Sequence, residues 1–381
     1  MRILVLDAAN YNTLAIVRYL GKMKDVELDV VGYNRMSLSF FSRYVSNRII
    51  IANPKISEEK FYNKLLSIIQ KNKYDLIMPV GFHTHKICSD NRDEILKYTH
   101  IVLPSKQSFE IASSKAATYQ LAEKIGISCP NTYSVSSYDE IKSLSVSFPI
   151  VVKAPFEIGK AAVAYVSNNA EMYRNALKIK AELDLSDKII PIIQEYIKGD
   201  GYGFFAYYED GICKQYFMHK RIREYPPSGG ISVCAEGFYD DELVKAGKKM
   251  LDYLKWNGVA MVEFKKDVKD GIYKLMEINP KFWGSLELAL ASKVNFPGYI
   301  IKRVKNEPIE QQVQYKRIRF HWILNGEIYH FFIKPSSFFK ILKDLFVAKS
   351  DIHLADPIPN LIQILLIFVH YYKKTKGLFS V

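Results

Sequence analysis

Over the first hundred positions, short apolar runs alternate with amphipathic stretches. Residues 3–7, 28–32, 49–51, 76–80 and 101–104 read as strands, and residues 58–71, with Phe61, Leu65, Ile68 and Ile69 at helical spacing, read as a crossover helix. Strands separated by such helices predict a parallel sheet. The first strand is followed by Asp7-Ala8-Ala9-Asn10 instead of GxGxxG, so the domain is Rossmann-like in order without a dinucleotide fingerprint. A capped helix is expected over 115–125, opened by Ser114 and closed by Gly126 and Pro130. Beyond it the pattern changes. Strands are expected at 150–153, 163–166, 189–194, 204–208, 213–219, 258–265 and 273–278, with helices at 170–183 and 242–256, an α+β arrangement rich in hairpins. From about residue 306 aromatics and lysines dominate, and no clear architecture emerges.

The 381 residues are 49% hydrophobic and 24% charged, which fits a folded globular chain of two or three domains and excludes disorder or collagen. A net charge of +13 favours anionic partners. Four scattered cysteines without a CxxC pair argue against zinc or a disulfide framework and for the cytoplasm. The N-terminus lacks the long apolar stretch of a signal peptide, and the apolar run 358–372 is broken by Asn360, Gln363 and His370, so no transmembrane helix is expected. His83-x-His85 has no Cys or carboxylate beside it and is set aside as a metal site. The 26 tyrosines and 22 phenylalanines come without a nucleic-acid-binding pattern, and nucleic acid is not expected as a partner.

Chemistry concentrates elsewhere. Glu263 lies in the apolar run Val259-Ala260-Met261-Val262, and Glu277 in Met276-Glu277-Ile278-Asn279-Pro280, with a short turn between the two strands. Paired carboxylates in apolar strands repel each other and resist desolvation, and a divalent cation resolves both problems. With the amide of Asn279 they suit hard, octahedral Mg²⁺, which completes its shell with water and phosphates. Lys153 ends the apolar strand 150–153, and Lys115 opens the capped helix, where amides and ammonium together face an anion. Residues 157–160, with the lone glycine Gly159, follow Lys153 as a loop over a phosphate chain.

In this order and spacing, residues 105–300 resemble the ATP-grasp superfamily. The resemblance is to its carboxylate–amine ligase branch, which includes carbamoyl-phosphate-synthase-like and D-alanine–D-alanine-ligase-like proteins. The motifs that carry it are Ser114-Lys115-Ala116-Ala117-Thr118, Val151-Val152-Lys153, Gln194-Glu195-Tyr196-Ile197, Glu263, and Glu277-Ile278-Asn279-Pro280-Lys281. The resemblance implies ATP with Mg²⁺ or Mn²⁺. It places Lys115 and Lys153 on phosphates, Gln194, Glu195, Tyr196 and Ile197 around adenine, Asp200 near the ribose, and Glu263, Glu277 and Asn279 on the metal. It also implies two-step chemistry, in which a substrate carboxylate becomes an acylphosphate and an amine, or a thiol, then displaces phosphate. Lys281 stands where the family usually has arginine. Arg221 and Arg223, expected on one strand face by alternation, are the candidate catalytic groups with Lys281; Lys220, Ser228, Gly229 and Gly230 are expected to hold substrate.

The expected organisation is a Rossmann-like pre-ATP-grasp domain (1–108), a first lobe (109–192), a second lobe with the metal and substrate sites (193–305), and a basic, aromatic C-terminal extension (306–381). Small-molecule carboxylate and amine substrates follow, with peripheral membrane contact through the extension and a homodimer as further partners. A kinase or carbamoyl-phosphate-synthase-like phosphoryl transfer, and a non-catalytic nucleotide-binding or membrane-surface protein, are the alternatives.

Overall fold

The computed structural model describes residues 1–156, 163–227, 229–310 and 314–375, with side chains described to residue 369. Gly159 and Ser228 lie outside the described residues. In the N-terminal segment β1 (Arg2–Val5), β2 (Glu27–Gly32), β3 (Asn47–Ile50) and β4 (Leu76–Met78) form a parallel sheet in the order β3-β2-β1-β4. Both faces of this sheet are covered, as parallel strands require. The helix Tyr11–Leu20 brings Ala15, Ile16, Val17 and Leu20 to one face, and the helix Glu58–Lys71 brings Phe61, Leu65, Ile68 and Ile69 to the other. The expected strand at 101–104 does not form; the contact there is an isolated bridge from His100 to Leu76. At the end of β1, Asp7 takes a left-handed backbone conformation, and its carboxylate accepts from the amides of Val80 and Gly81 and from the Thr84 and Tyr33 hydroxyls. His83 and His85 lie on the helix Phe82–Asp90; His85 is buried and its Nδ1 lies 2.8 Å from the Gly81 carbonyl.

A second sheet, antiparallel, contains β5 (Thr132–Tyr133), β6 (Ile150–Lys153), β7 (Val163–Val166) and β8 (Ile192–Glu195) in the order β5-β8-β6-β7. The helix Asn169–Glu182 packs on it through Met172, Ala176 and Ile179, spaced to fall on one face. The third and largest sheet is built from β9 (Gly201–Glu209), β10 (Ile212–Tyr225), β11 (Ile231–Gly237), β12 (Gly258–Lys266), β13 (Tyr273–Asn279), β14 (Arg319–His321) and β15 (Lys349–Ser350), in the order β13-β12-β9-β10-β11-β14-β15. One face carries the helix Asp241–Tyr253 through Leu243, Met250 and Leu251. Phe205, Tyr207 and Phe217 on the other face join Ile16, Val17 and Leu20 of the N-terminal segment in one core.

The strands β14 and β15 lie beyond residue 305 and still extend this sheet, with Phe320 and Trp322 in the shared core. Further on, Arg18 of the N-terminal segment donates to Asp356 at 2.9 Å, both groups buried, and so fastens the start of the helix Pro357–Thr375. No helix among the described residues is long and apolar enough to cross a membrane.

Candidate active site

The third sheet sets the two carboxylates opposite each other. β12 and β13 run antiparallel with Glu263 in register with Glu277, and a register irregularity follows Glu263. Each is held by its own cation. The Arg221 guanidinium on β10 donates to Glu263 at 2.5 Å, and the Lys115 ammonium lies 3.2 Å from Glu277. Asn279 donates to Glu277 at 2.9 Å and accepts from Lys281 at 3.0 Å. Burial, reinforced by Glu277 and Glu224, lifts the Glu263 carboxyl to about 7 against the pull of Arg221. For Glu277 burial acts in the same upward direction, but Lys115, Asn279 and Lys281 outweigh it and hold the carboxyl down at about 2. The pair titrates as a unit with its two steps pulled apart.

Local structure explains why Lys115 arrives here. Ser114 caps the helix Lys115–Lys124 by accepting from the Ala117 amide, and the Lys115 amide donates to the carbonyl of Pro155, just past β6. Lys153, at the end of β6, is 7% exposed, and its ammonium donates to the Tyr119 hydroxyl at 2.6 Å. Tyr119 in turn donates to the carbonyl of Met276, next to Glu277. Burial, with Lys115 adding to it, lowers the Lys153 ammonium to about 7. A cation held in so unfavourable a place, beside a second lysine, is set to receive an anion.

The end of β8 and the residues after it lie next to this cluster, with Gln194 accepting from the Tyr119 hydroxyl at 3.4 Å. Gln194 is buried and donates to Thr132 at 2.9 Å; Glu195 pairs with Lys269 at 3.2 Å. The Tyr196 ring meets Tyr165 edge to face, and Lys265 lies over it while donating to the Ile197 carbonyl at 3.4 Å. Polar edges and an aromatic face at one position suit a flat heterocycle.

The basic stretch of β10 divides. Arg221 and Arg223 were expected on one face, but register shifts between Arg221 and Arg223 and again between Arg223 and Glu224 break the alternation. Arg221 turns to Glu263 and Glu224, whereas Arg223 is buried against Glu327 and Asp344. Arg223 is therefore held away from the carboxylate pair by its own partners. Arg221 needs the missing side chain of Gly201, since a Cβ there would meet its Cδ at 2.8 Å. Lys220 and Asp200, expected on substrate and ribose, pair with each other at 2.6 Å. In the turn before β11 the Gly229 amide donates to Pro226, and the Gly230 carbonyl accepts from Arg221, so those groups serve the turn itself. Gly229 has φ +132°, a conformation that side chains disfavour.

Two contributors escaped the sequence reading. Tyr119 lies one helical turn after Lys115, on the same face, and Lys265 lies two residues after Glu263 on the same strand, so both spacings carried the signal.

Two carboxylates and an amide, all hard donors, fit a divalent cation such as Mg²⁺. Among the described residues no three His, Cys, Asp or Glu side chains converge, so a metal held here would need further ligands from outside the protein, such as water. Cations outnumber carboxylates around the pair, with Lys115, Lys153, Lys265, Lys281 and Arg221 facing Glu224, Glu263 and Glu277. Such a surplus suits a polyphosphate.

A family model described as "ATP-grasp in the biosynthetic pathway with Ter operon" matches residues 211–324. Biotin carboxylase from Campylobacter jejuni, in its β-γ-ATP complex, superimposes with a TM-score of 0.67 at 14% identity, covering 84% of this chain and 74% of the other. Residues 211–324 thus match an ATP-grasp family, and the fold is shared with this solved structure. D-Aspartate ligase of Enterococcus faecium (strain Aus0004) is 22% identical over 332 residues, 80% of this chain and 77% of that protein. The carbamoyl phosphate synthase large chain of Saccharolobus islandicus is 24% identical over 196 residues, half of this chain but 17% of the relative.

Proposed function

We propose that this protein is an ATP-dependent ligase that activates a small-molecule carboxylate as an acylphosphate and joins it to an amine, releasing ADP and phosphate. The observation that carries the reading is the in-register pair Glu263 and Glu277, each with its own cation, beside the buried Lys153. The similarity to D-aspartate ligase along most of both chains supports an amino-acid-like substrate. Glu263, Glu277 and Asn279 would hold Mg²⁺, which when bound would supply charge neutralisation for the phosphates of ATP. Lys153 and Lys115 supply the positive charge that phosphoryl transfer needs, and no covalent nucleophile is required. Arg221 fixes Glu263 and leaves one face toward a cavity of about 280 Å³ lined also by Asp200, Glu224, His330, Lys334 and Lys340, where a carboxylate would find cations waiting. Tyr196 and the main chain through Ile197 hold adenine. The N-terminal parallel sheet serves as the Rossmann-like pre-ATP-grasp domain, and the enzyme works in the cytoplasm.

The test is Mg²⁺-dependent release of ADP and phosphate, measured over mixtures of amino acids, short peptides and other carboxylates with and without amines. Turnover that needs both a carboxylate and an amine is expected. Phosphorylated product formed with no amine present would instead favour a kinase on the same scaffold, and nucleotide binding without turnover over the whole panel would count against the ligase reading.

A further inference from the structure

The helices Ile328–Ile333 and Phe338–Val347 display an apolar surface that the chain itself does not cover. Phe332, Phe339 and Phe346 are 65%, 79% and 83% exposed, with Phe338, Leu345 and Val347 around them. Ring contacts from Phe332 to Phe331, Phe331 to Phe338 and Phe338 to Phe339, at 5.4–6.0 Å, make the aromatic part continuous across both helices. A soluble surface seldom carries so many exposed rings together without a partner.

The charges on these elements say what kind of partner. Lys334, Lys340 and Lys343 are exposed, and none forms an ion pair among the described residues. From residue 328 to the end of the sequence there is no glutamate, and the three aspartates are turned inward. Asp344 pairs with Arg223 and Arg319, Asp351 accepts from the amides of Leu324 and Asn325, and Asp356 from Arg18. The outward face thus combines large hydrophobic groups with cations alone. A second copy of this chain would bring the same lysines against each other, because a two-fold interface uses one patch twice.

We infer that this face docks on an anionic phospholipid surface, its phenylalanines entering the headgroup and acyl boundary and its lysines meeting lipid phosphates. Lys334 and Lys340 also line the cavity beside Arg221, so the docked surface borders the mouth of the site. The inference stands on the composition and exposure of this face and does not depend on the ligase reading.

Sedimentation with vesicles tests it directly, comparing phosphatidylcholine alone with phosphatidylcholine mixed with phosphatidylglycerol. Each lysine near an anionic surface strengthens binding about fivefold, so the three predict a preference of about a hundredfold for the mixed vesicles, weakened by salt. The double variant Phe339→Ser, Phe346→Ser should lose vesicle binding while keeping its melting temperature and its affinity for a fluorescent ATP analogue. Equal binding to both vesicle types, or none to the mixed ones, would overturn the inference. So would a dimer, seen by light scattering, that the double variant dissociates.

Discussion

Replacing Lys153 by methionine should stabilise the protein without nucleotide and cripple nucleotide binding. Methionine keeps the volume of the side chain and removes an ammonium that is 7% exposed. Its pKa falls from 10.5 to about 7, with burial as the first cause and Lys115 as the second. The folded state therefore binds this proton less readily than the unfolded chain. The cost to stability is present in full below pH 7 and disappears as the pH rises toward 10.5. At about 1.36 kcal/mol per pH unit of difference, the full cost is about 5 kcal/mol. Methionine also gives up the charged hydrogen bond to Tyr119, worth about 1.5–3 kcal/mol. A net gain of about 2–3 kcal/mol is expected at pH 6, and the advantage should shrink by about 3 kcal/mol between pH 7 and pH 9. Scanning calorimetry of both proteins at pH 6 and pH 9 measures this difference. In the same pair, loss of a charged phosphate contact should weaken ATP-analogue binding about ten- to a hundredfold. A variant that melts lower at pH 6, or whose difference from the parent does not change with pH, would refute the reading of Lys153 as a strained cation held for phosphate.

Glu277→Ala should abolish ATP turnover, by at least about a hundredfold, with the circular dichroism spectrum unchanged; full activity would sink the metal assignment. Arg223→Met should cost about 3–5 kcal/mol, because it removes the cation shared by the buried Glu327 and Asp344 and leaves them only His321 and Arg319, yet leave nucleotide affinity intact in the surviving folded protein. Thermal melts with and without an ATP analogue separate those effects, and a variant as stable as the parent would contradict the structural role. Asp351 is held up to about 7 by burial and by Glu287, so its folded carboxyl binds a proton that the unfolded one, at 3.8, has released. Stability contributed by this group is therefore lost as pH rises from 4 to 7, and Asp351→Asn should gain over the parent across that window. Melting temperatures that stay parallel from pH 4 to pH 8 would count against it.

Much of the site could be read in one dimension because its signals are local. A carboxylate in an apolar strand, a lysine after a helix cap and a lysine closing a buried strand are anomalies against burial rules. The expected pairing of Glu263 with Glu277 needed only a short turn between two strands, and the register shows them opposite. The four short strands of the first sheet and the helix Glu58–Lys71 follow equally from periodicity. The run 101–104 looked like a fifth strand because apolar character alone does not distinguish a buried connection from a paired strand.

What the linear pattern alone decided is which residues are chemically out of place in their surroundings. Which of them meet was decided in three dimensions. Alternation put Arg221 and Arg223 on one face, but two irregularities in β10 sent one to the carboxylate pair and the other to Glu327 and Asp344, residues more than a hundred positions away. A bulge depends on what the neighbouring strands and loops demand, and that demand has no fixed spacing. Lys220 and Asp200 found each other for the same reason, since β9 and β10 lie side by side only once the hairpin closes. The residues after 305 show this most fully. Their aromatics and lysines gave composition without architecture, because the strands β14 and β15 are too short to declare themselves and take their place only by adding to an edge that already exists.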